Sequence, residues 1–414
     1  MDFAPLKRTA SGVGKPEWVP MLEYVADLHG RSVFPARGFL PYEWENIGPG
    51  YCYGPAFGHW DLFHAVLDSM PVLPEHARRQ ILNVLATQRA DGILPALVWM
   101  RDPEPKVHDR CGHPPVWIYA VDEYCALLAS DELRLIALPH LLRQIEWFEA
   151  NRRAEPDGFF YLDILNPIWE SGFDEGIRYL EAQDTPRACV DACSQVYALY
   201  DCAARWLGKA GRDGSAMEAK ASRLKTFIQE ELFSEETGFY HDIWSVHDPA
   251  KQHFCFEGFW PMISGAATQA QAGRLIEESV LNRDRFLTQH PVPTVAVCDP
   301  LHELRMMRGP AWNSMTYWLA RGCRRYGRPG AAATVLGMAL DATAAQFART
   351  GTVWEFYHPS GGRQEDVQRK PSTPFNVPCR EYLGHNPLFA MARLWKQCVE
   401  AREAGQAEPR KEGA

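Results

Sequence analysis

The chain has 414 residues, 46% of them hydrophobic, and a formal net charge of -9. That length holds one large or two ordinary domains and can bury a sizeable core. No long basic block is present, which argues against nucleic acid or an acidic membrane surface as a partner. The eleven cysteines include no Cys-x-x-Cys pair, so the thiols read as reduced core residues of a cytoplasmic protein, with no zinc site or other cofactor expected. Met1 to Lys15 has no apolar run of signal-peptide length, and no segment is expected to reach membrane-spanning length.

Helical periodicity dominates the chain order. Segments 57–70, 75–90, 115–129, 132–151, 190–207, 214–233, 268–281, 311–326, 330–348 and 384–404 carry apolar residues at i, i+3/i+4 spacing. Phe159–Tyr161 and Thr294–Cys298 are expected to form small hairpins in loops.

Six helices each follow a loop rich in Gly, Pro, His or aromatics: Gly58-His59-Trp60-Asp61, Gly112-His113-Pro114-Pro115, Cys189-Val190-Asp191, Glu257 to Pro261, Arg308-Gly309-Pro310 and Leu383 to Pro387. Plainer amphipathic helices alternate with them. The pattern predicts an all-α fold, an (α/α)6 barrel, in which inner helices are buried on most sides and outer ones along a single stripe. A less regular helical bundle is the alternative. One domain is expected over 1–400, with a disordered charged tail at 401–414.

Trp169-Glu170-Ser171-Gly172-Phe173-Asp174-Glu175 crowds three carboxylates around a Trp and a turn. A second aromatic cluster, Trp354-Glu355-Phe356-Tyr357-His358-Pro359, surrounds Glu355. Glycoside hydrolysis needs one carboxyl to protonate the leaving oxygen and another to attack the sugar or activate water. Aromatic neighbours supply stacking surface and an apolar setting for the acid. The competing explanation for Glu170, Asp174 and Glu175 is that they complement a helix N-terminus, with Arg178 as a local ion partner.

Five ordered motifs resemble glycoside hydrolase family 63 and the related trehalases. Glu170-Ser171-Gly172-Phe173-Asp174 resembles the Glu-Ser-Gly-aromatic-Asp signature, and Trp60-Asp61 resembles the Trp-Asp of an inner helix. His113-Pro114-Pro115 is similar to a Gln-Pro-Pro segment, and Arg308-Gly309-Pro310-Ala311-Trp312 to Arg-Gly-Pro-x-Trp. Glu355 to Gly361 resembles Glu-x-Tyr-x-Pro-x-x-Gly. The compact length points to the short branch of mannosylglycerate and glucosylglycerate hydrolases.

The resemblance implies an inverting enzyme on an (α/α)6 barrel. Asp174 would be its general acid and Glu355 its general base. Trp60, Asp61, Trp169, Arg308 and Trp312 would form the sugar pocket. His113, Gln195, Tyr357 and His385 join them as candidate substrate contacts, and Glu170 as a structural or hydroxyl-binding group. The implied substrate is an α-glucoside or α-mannoside of a small soluble aglycone.

The chain departs from the family pattern in three places. Glu175-Gly176 stands where Asn-Ser is common, His113 replaces the Gln, and Tyr382-Leu383-Gly384-His385-Asn386 replaces Phe-Ser-Trp-Thr. Two rival readings are a sugar 2-epimerase on the same barrel and a sugar-binding descendant without catalysis, since a fold alone does not fix function.

Overall fold

The computed structural model describes residues 1–407. Burial sorts its helices into two kinds. In α3 (His59–Ser69) every residue is buried, including His59, Asp61, His64 and Asp68. In α8 (Ser215–Glu231) only Ala221, Leu224, Phe227 and Ile228 are buried, a single i, i+3, i+6, i+7 stripe. A helix that is apolar on one stripe can lie outside, whereas one buried all round must lie within.

The helices alternate accordingly. A short α1 (Ala4–Arg8) leads into the outer helix α2 (Val19–Ser32). The inner helix α3 is followed by α4 (Pro74–Ala86), α5 (Trp117–Leu128), α6 (Glu132–Asn151) and α7 (Val190–Lys209). After α8 come α9 (Trp260–Ser264) and α10 (Gln269–Arg274), which continues as a π-helical turn over Leu275–Val280. The chain ends with α11 (Asn313–Arg325), α12 (Pro329–Thr350) and α13 (Leu388–Ala407). Among the inner helices, α3 packs on α5 and α13, α7 on α9, and α11 on α9 and α13. The outer helices α2, α4, α6, α8, α10 and α12 each precede an inner helix in sequence. This is the (α/α)6 barrel, and all six special loop-to-helix starts precede inner helices.

Element by element, the structure meets the sequence expectation in places and departs from it in others. The helix α2 escapes sequence reading because its apolar positions, Met21, Leu22, Val25, Ala26 and Leu28, are interrupted by charge and Gly. Phe159 does pair in a small hairpin, Arg153–Ala154 with Gly158–Phe159. Thr294–Cys298 forms no strand, only single bridges from Pro293 and Val295 to Ala311 and Cys255. The helix α13 continues to Ala407, so the expected tail is helical over 401–407, and its remainder lies outside the described residues. In addition, α12 is long and apolar enough to cross a membrane by length and composition, contrary to expectation; most of that stretch is buried against α11 and α13.

One continuous core fills the barrel wall and its axis. Along the axis, the indole N–H of Trp318 donates to His64 Nε2 at 2.9 Å, and His64 Nδ1 lies 2.5 Å from the Gly384 carbonyl. An imidazole accepting at Nε2 carries its proton at Nδ1, which fixes the tautomer. A three-stranded antiparallel sheet, Ala56–Gly58, Leu97–Trp99 and Lys106–His108, walls one side of the barrel mouth. Its three-residue strands are too short for alternation to register in the sequence.

Candidate active site

The loops that run from outer to inner helices meet at the N-terminal ends of the inner helices and enclose a cavity of about 210 Å³. Trp60 and Asp61 reach it from the first turn of α3, and His113 from just ahead of α5. Trp169 and Asp174 come from the α6–α7 loop, Trp312 from the N-cap of α11, and Glu355 and His385 from the α12–α13 loop. Eight of the twelve candidate residues are thus brought together from positions up to 325 apart in the chain.

The Asp174 segment is held in shape by its own hydrogen bonds. The buried Asp163 carboxylate accepts the N–H groups of Glu170 and Ser171 at 2.9 and 2.6 Å. The Trp169 N–H donates to the Tyr179 hydroxyl at 2.8 Å. These bonds hold Trp169 and Glu175 at φ of 62° and 59°, flanking Gly172 at 76°. That left-handed conformation costs a non-glycine residue about 1–2 kcal/mol. Such residues persist where surrounding structure over-determines them. Here Arg308 Nε donates to the Glu175 carbonyl at 2.6 Å, and Arg305 pairs with the Glu175 carboxylate. Asn tolerates a left-handed backbone better than Glu does, and Glu175 is held in it by two arginines.

Each catalytic candidate has a cation beside it. Lys370 Nζ lies 3.0 Å from Asp174 Oδ2. The attraction of Asp174 outweighs burial and holds the Lys370 ammonium above its ordinary pKa. Glu355, 2% exposed, accepts from Arg369 Nε at 2.8 and 3.1 Å and from the Cys379 N–H at 3.0 Å. Arg369 is fixed in turn by donating to the Tyr53 hydroxyl at 3.0 Å. A guanidinium so anchored orients the carboxylate it holds.

Asp61 has no cation. Burial raises its carboxyl to about 7, and the Tyr382 hydroxyl, donating at 2.7 Å, offsets only part of that. His385 Nε2 lies 3.5 Å from the same oxygen, and its Nδ1 faces Ser314 Oγ at 2.7 Å. Burial pushes His113 down to about 4 and His385 well below its ordinary value, so both imidazoles are neutral near pH 7.

Four candidates lie outside the cavity. Glu170 forms a bidentate pair with Arg152, both bonds at 2.8 Å, and also accepts from the Leu162 N–H at 2.8 Å. Gln195 accepts from the Tyr161 hydroxyl behind the wall. The Arg308 guanidinium faces the Glu175 carbonyl rather than the cavity. Tyr357 stacks on His290 and donates to Asn386 at 3.0 Å. Asp191, weighed beside Gln195, is held bidentately by Arg178, which also grips Asp242. The sulfur of Cys189 and the carboxylates of Asp191 and Asp242 lie within 4.8 Å of one another, but this guanidinium already occupies the two carboxylates.

Sequence reasoning missed Tyr51, Tyr53, Trp99, Arg369 and Lys370, all of which line the cavity, and noted Tyr382, which lines it too, only as a departure from the family pattern. Four of these had a signal: Tyr51 and Tyr53 in a Gly- and Pro-bounded loop over 48–54, and the Arg369-Lys370 pair before Pro371.

A helical barrel whose loops bring three carboxylates, an indole-rich wall and three cationic side chains into one cavity has the architecture of a helical-barrel glycoside hydrolase. Residues 55–376 match the mannosylglycerate hydrolase MGH1-like glycoside hydrolase domain, and the chain belongs to that family. It is 22% identical to mannosylglycerate hydrolase MGH2 of Selaginella moellendorffii, with 80% of this chain and 78% of that protein aligned. The family 63 mannosylglycerate hydrolase of Thermus thermophilus, solved with Tris and D-glycerate, superposes with a TM-score of 0.67 at 21% identity, covering 92% of this chain and 100% of that one. Neutral trehalase Nth1 of Saccharomyces cerevisiae superposes with a TM-score of 0.64 at 14% identity, covering 91% and 79%. The two superpositions share the barrel with this chain.

Proposed function

We propose that the protein is an inverting glycosidase that hydrolyses an α-glucoside or α-mannoside of a small anionic aglycone such as glycerate. The observation that carries this reading is the placement of Asp174 and Glu355 on one cavity, each beside its own cation. In inversion, one carboxyl protonates the leaving oxygen while the other takes a proton from the attacking water. Asp174 is the donor and Glu355 the base. Arg369 and the Cys379 N–H fix the orientation of Glu355, so the water it activates meets a positioned acceptor. Trp60, Trp169 and Trp312 offer faces for the sugar ring, and Asp61 accepts or donates at its hydroxyls.

The anionic aglycone is supported by Lys370 and Arg101, two cationic side chains on the same cavity. A carboxylate entering beside Lys370 gives the ammonium a second partner and frees Asp174 to deliver its proton. The names of the relatives fit this chemistry, since both hydrolases are named for mannosylglycerate and one binds D-glycerate.

The test is proton NMR of hydrolysis across charged and neutral α-glucosides and α-mannosides. A β-anomer as the first product, with turnover cut at least a thousandfold in both Asp174→Asn and Glu355→Gln, is the expected result. An α-anomer as first product, or near-normal turnover in either folded variant, would sink the assignment.

A further inference from the structure

The barrel has a second cavity, of about 710 Å³, at the C-terminal ends of its inner helices, opposite the catalytic mouth. Its lining has a strong sign. Arg321, Arg324, Arg325 and Arg393 face it against a single acid, Glu123, in a chain whose overall charge is -9. The neighbouring acids Asp122 and Asp201 are committed to Arg134 and Arg205. Glu123 pairs with Arg321, which leaves three guanidiniums in excess.

Two polar atoms there are buried without a hydrogen-bond partner among the described residues. They are Arg393 Nη1 and the Tyr119 hydroxyl. Arg393 commits its other terminal nitrogen to the carbonyls of Leu67 and Asp68, at 2.9 and 2.7 Å, so Nη1 is aimed by a fixed group. A buried donor left unsatisfied is destabilising, and a ligand oxygen would relieve that cost. The wall is aromatic as well: Arg321 lies 5.0 Å from the Trp318 ring centroid and 5.5 Å from that of Tyr317.

We infer that this opposite mouth is a binding site for a small phosphate-bearing anion, held by Arg324, Arg325 and Arg393 with the Tyr119 hydroxyl as a further donor. Guanidiniums present planar forks that match phosphate oxygens, and several converging on one cavity favour a doubly charged group over a monoanion. Trp318 and Tyr317 add a surface for a flat substituent, so an aromatic phosphate ester binds more tightly than orthophosphate. The site is independent of the hydrolase reading, because it shares no residue with the catalytic cavity.

The experiment is calorimetric titration of the full-length protein with orthophosphate and with phenyl phosphate, at fixed ionic strength in chloride. Wild type is compared with an Arg324→Ala, Arg325→Ala double variant; both side chains are exposed, so folding is preserved. Saturable one-to-one binding, weakened at least tenfold in the double variant, is expected. The same ligands should leave the KM for glycoside unchanged. A linear, non-saturating heat, equal affinity in the double variant, or competition with glycoside would each overturn the site. Phenyl phosphate binding more tightly than orthophosphate supports an ester ligand, and equal affinities would overturn the aromatic contribution.

Discussion

Lys370 Nζ sits 3.0 Å from Asp174 Oδ2, so the proposed proton donor is engaged by an ammonium before any substrate arrives. The two residues are 196 positions apart, and the loop that carries Lys370 also carries Arg369, the partner of Glu355. One short segment therefore contacts both of the proposed catalytic carboxylates.

Lys370→Met tests that arrangement. If Lys370 exchanges Asp174 for the aglycone carboxylate, kcat/KM for a glycerate glycoside should fall at least tenfold more than for a neutral methyl glycoside. Tenfold corresponds to about 1.4 kcal/mol of transition-state stabilisation. Equal losses on both substrates, measured by steady-state kinetics, would assign Lys370 to holding Asp174 alone.

Glu170 is 1% exposed and paired with Arg152, so its removal leaves an uncompensated guanidinium in the wall. Breaking such a buried pair costs about 3–5 kcal/mol. Glu170→Ala should lower the unfolding free energy by that amount, read from denaturant titration, while KM, measured where the variant is folded, stays within twofold. A large KM change with unchanged stability would return Glu170 to the substrate site.

A methyl group on Gly384 would stand 2.3 Å from Asp61 Oδ1 and 2.7 Å from its Cβ. Neither element can yield, since Asp61 lies in the buried first turn of α3 and the Gly384 carbonyl is held by His64. Gly384→Ala should displace Asp61 and cut kcat/KM at least a hundredfold, with sugar binding lost in parallel. Retained affinity, read by titration of a non-hydrolysable sugar, would contradict the contact.

The pH dependence of stability should carry the mark of a buried pair remote from the site. His29 Nδ1 of α2 lies 2.5 Å from Glu45 Oε1, both groups fully buried, and His76 of α4 takes the other carboxylate oxygen. Burial alone would lower His29, but Glu45 and Asp68 outweigh it and raise the imidazolium to about 9. Burial alone would raise Glu45, but His29 and His76 outweigh it and lower the carboxyl to about 2. A raised base contributes stability fully below its unfolded pKa near 6.5 and loses it as pH climbs through about 9. A depressed acid contributes above about 4.5 and loses it as pH falls towards 2. Urea midpoints should therefore decline between about pH 6.5 and 9, and His29→Gln, though less stable overall, should flatten that decline.

Local pattern determined a good deal of this protein. The alternation of fully buried with single-stripe helices follows from where apolar residues recur, because a helix's periodicity states how many of its sides face the core. The Gly-, Pro- and aromatic-rich starts marked every inner helix, since those residues end one element and aim the next. Trp60, Asp61, His113, Trp312 and His385 were legible for the same reason, each lying at such a start, whereas Trp169, Asp174 and Glu355 were legible from clusters of acids and aromatics within loops; all eight reach the cavity.

Only the tertiary structure decided which polar residues of those motifs face substrate. Glu170 stands four positions before Asp174, yet it turns into the wall because Arg152 arrives there from the end of α6. Arg308 belongs to a family-like motif, yet it serves the backbone of Glu175, whose left-handed conformation no sequence pattern announces. Lys370 and Arg369 read as an ordinary basic doublet until the chain's closure sets them against Asp174 and Glu355. Helical periodicity acts over a few residues, whereas charge pairing acts through space. The sequence could therefore locate the carboxylates while leaving their cationic partners to the fold.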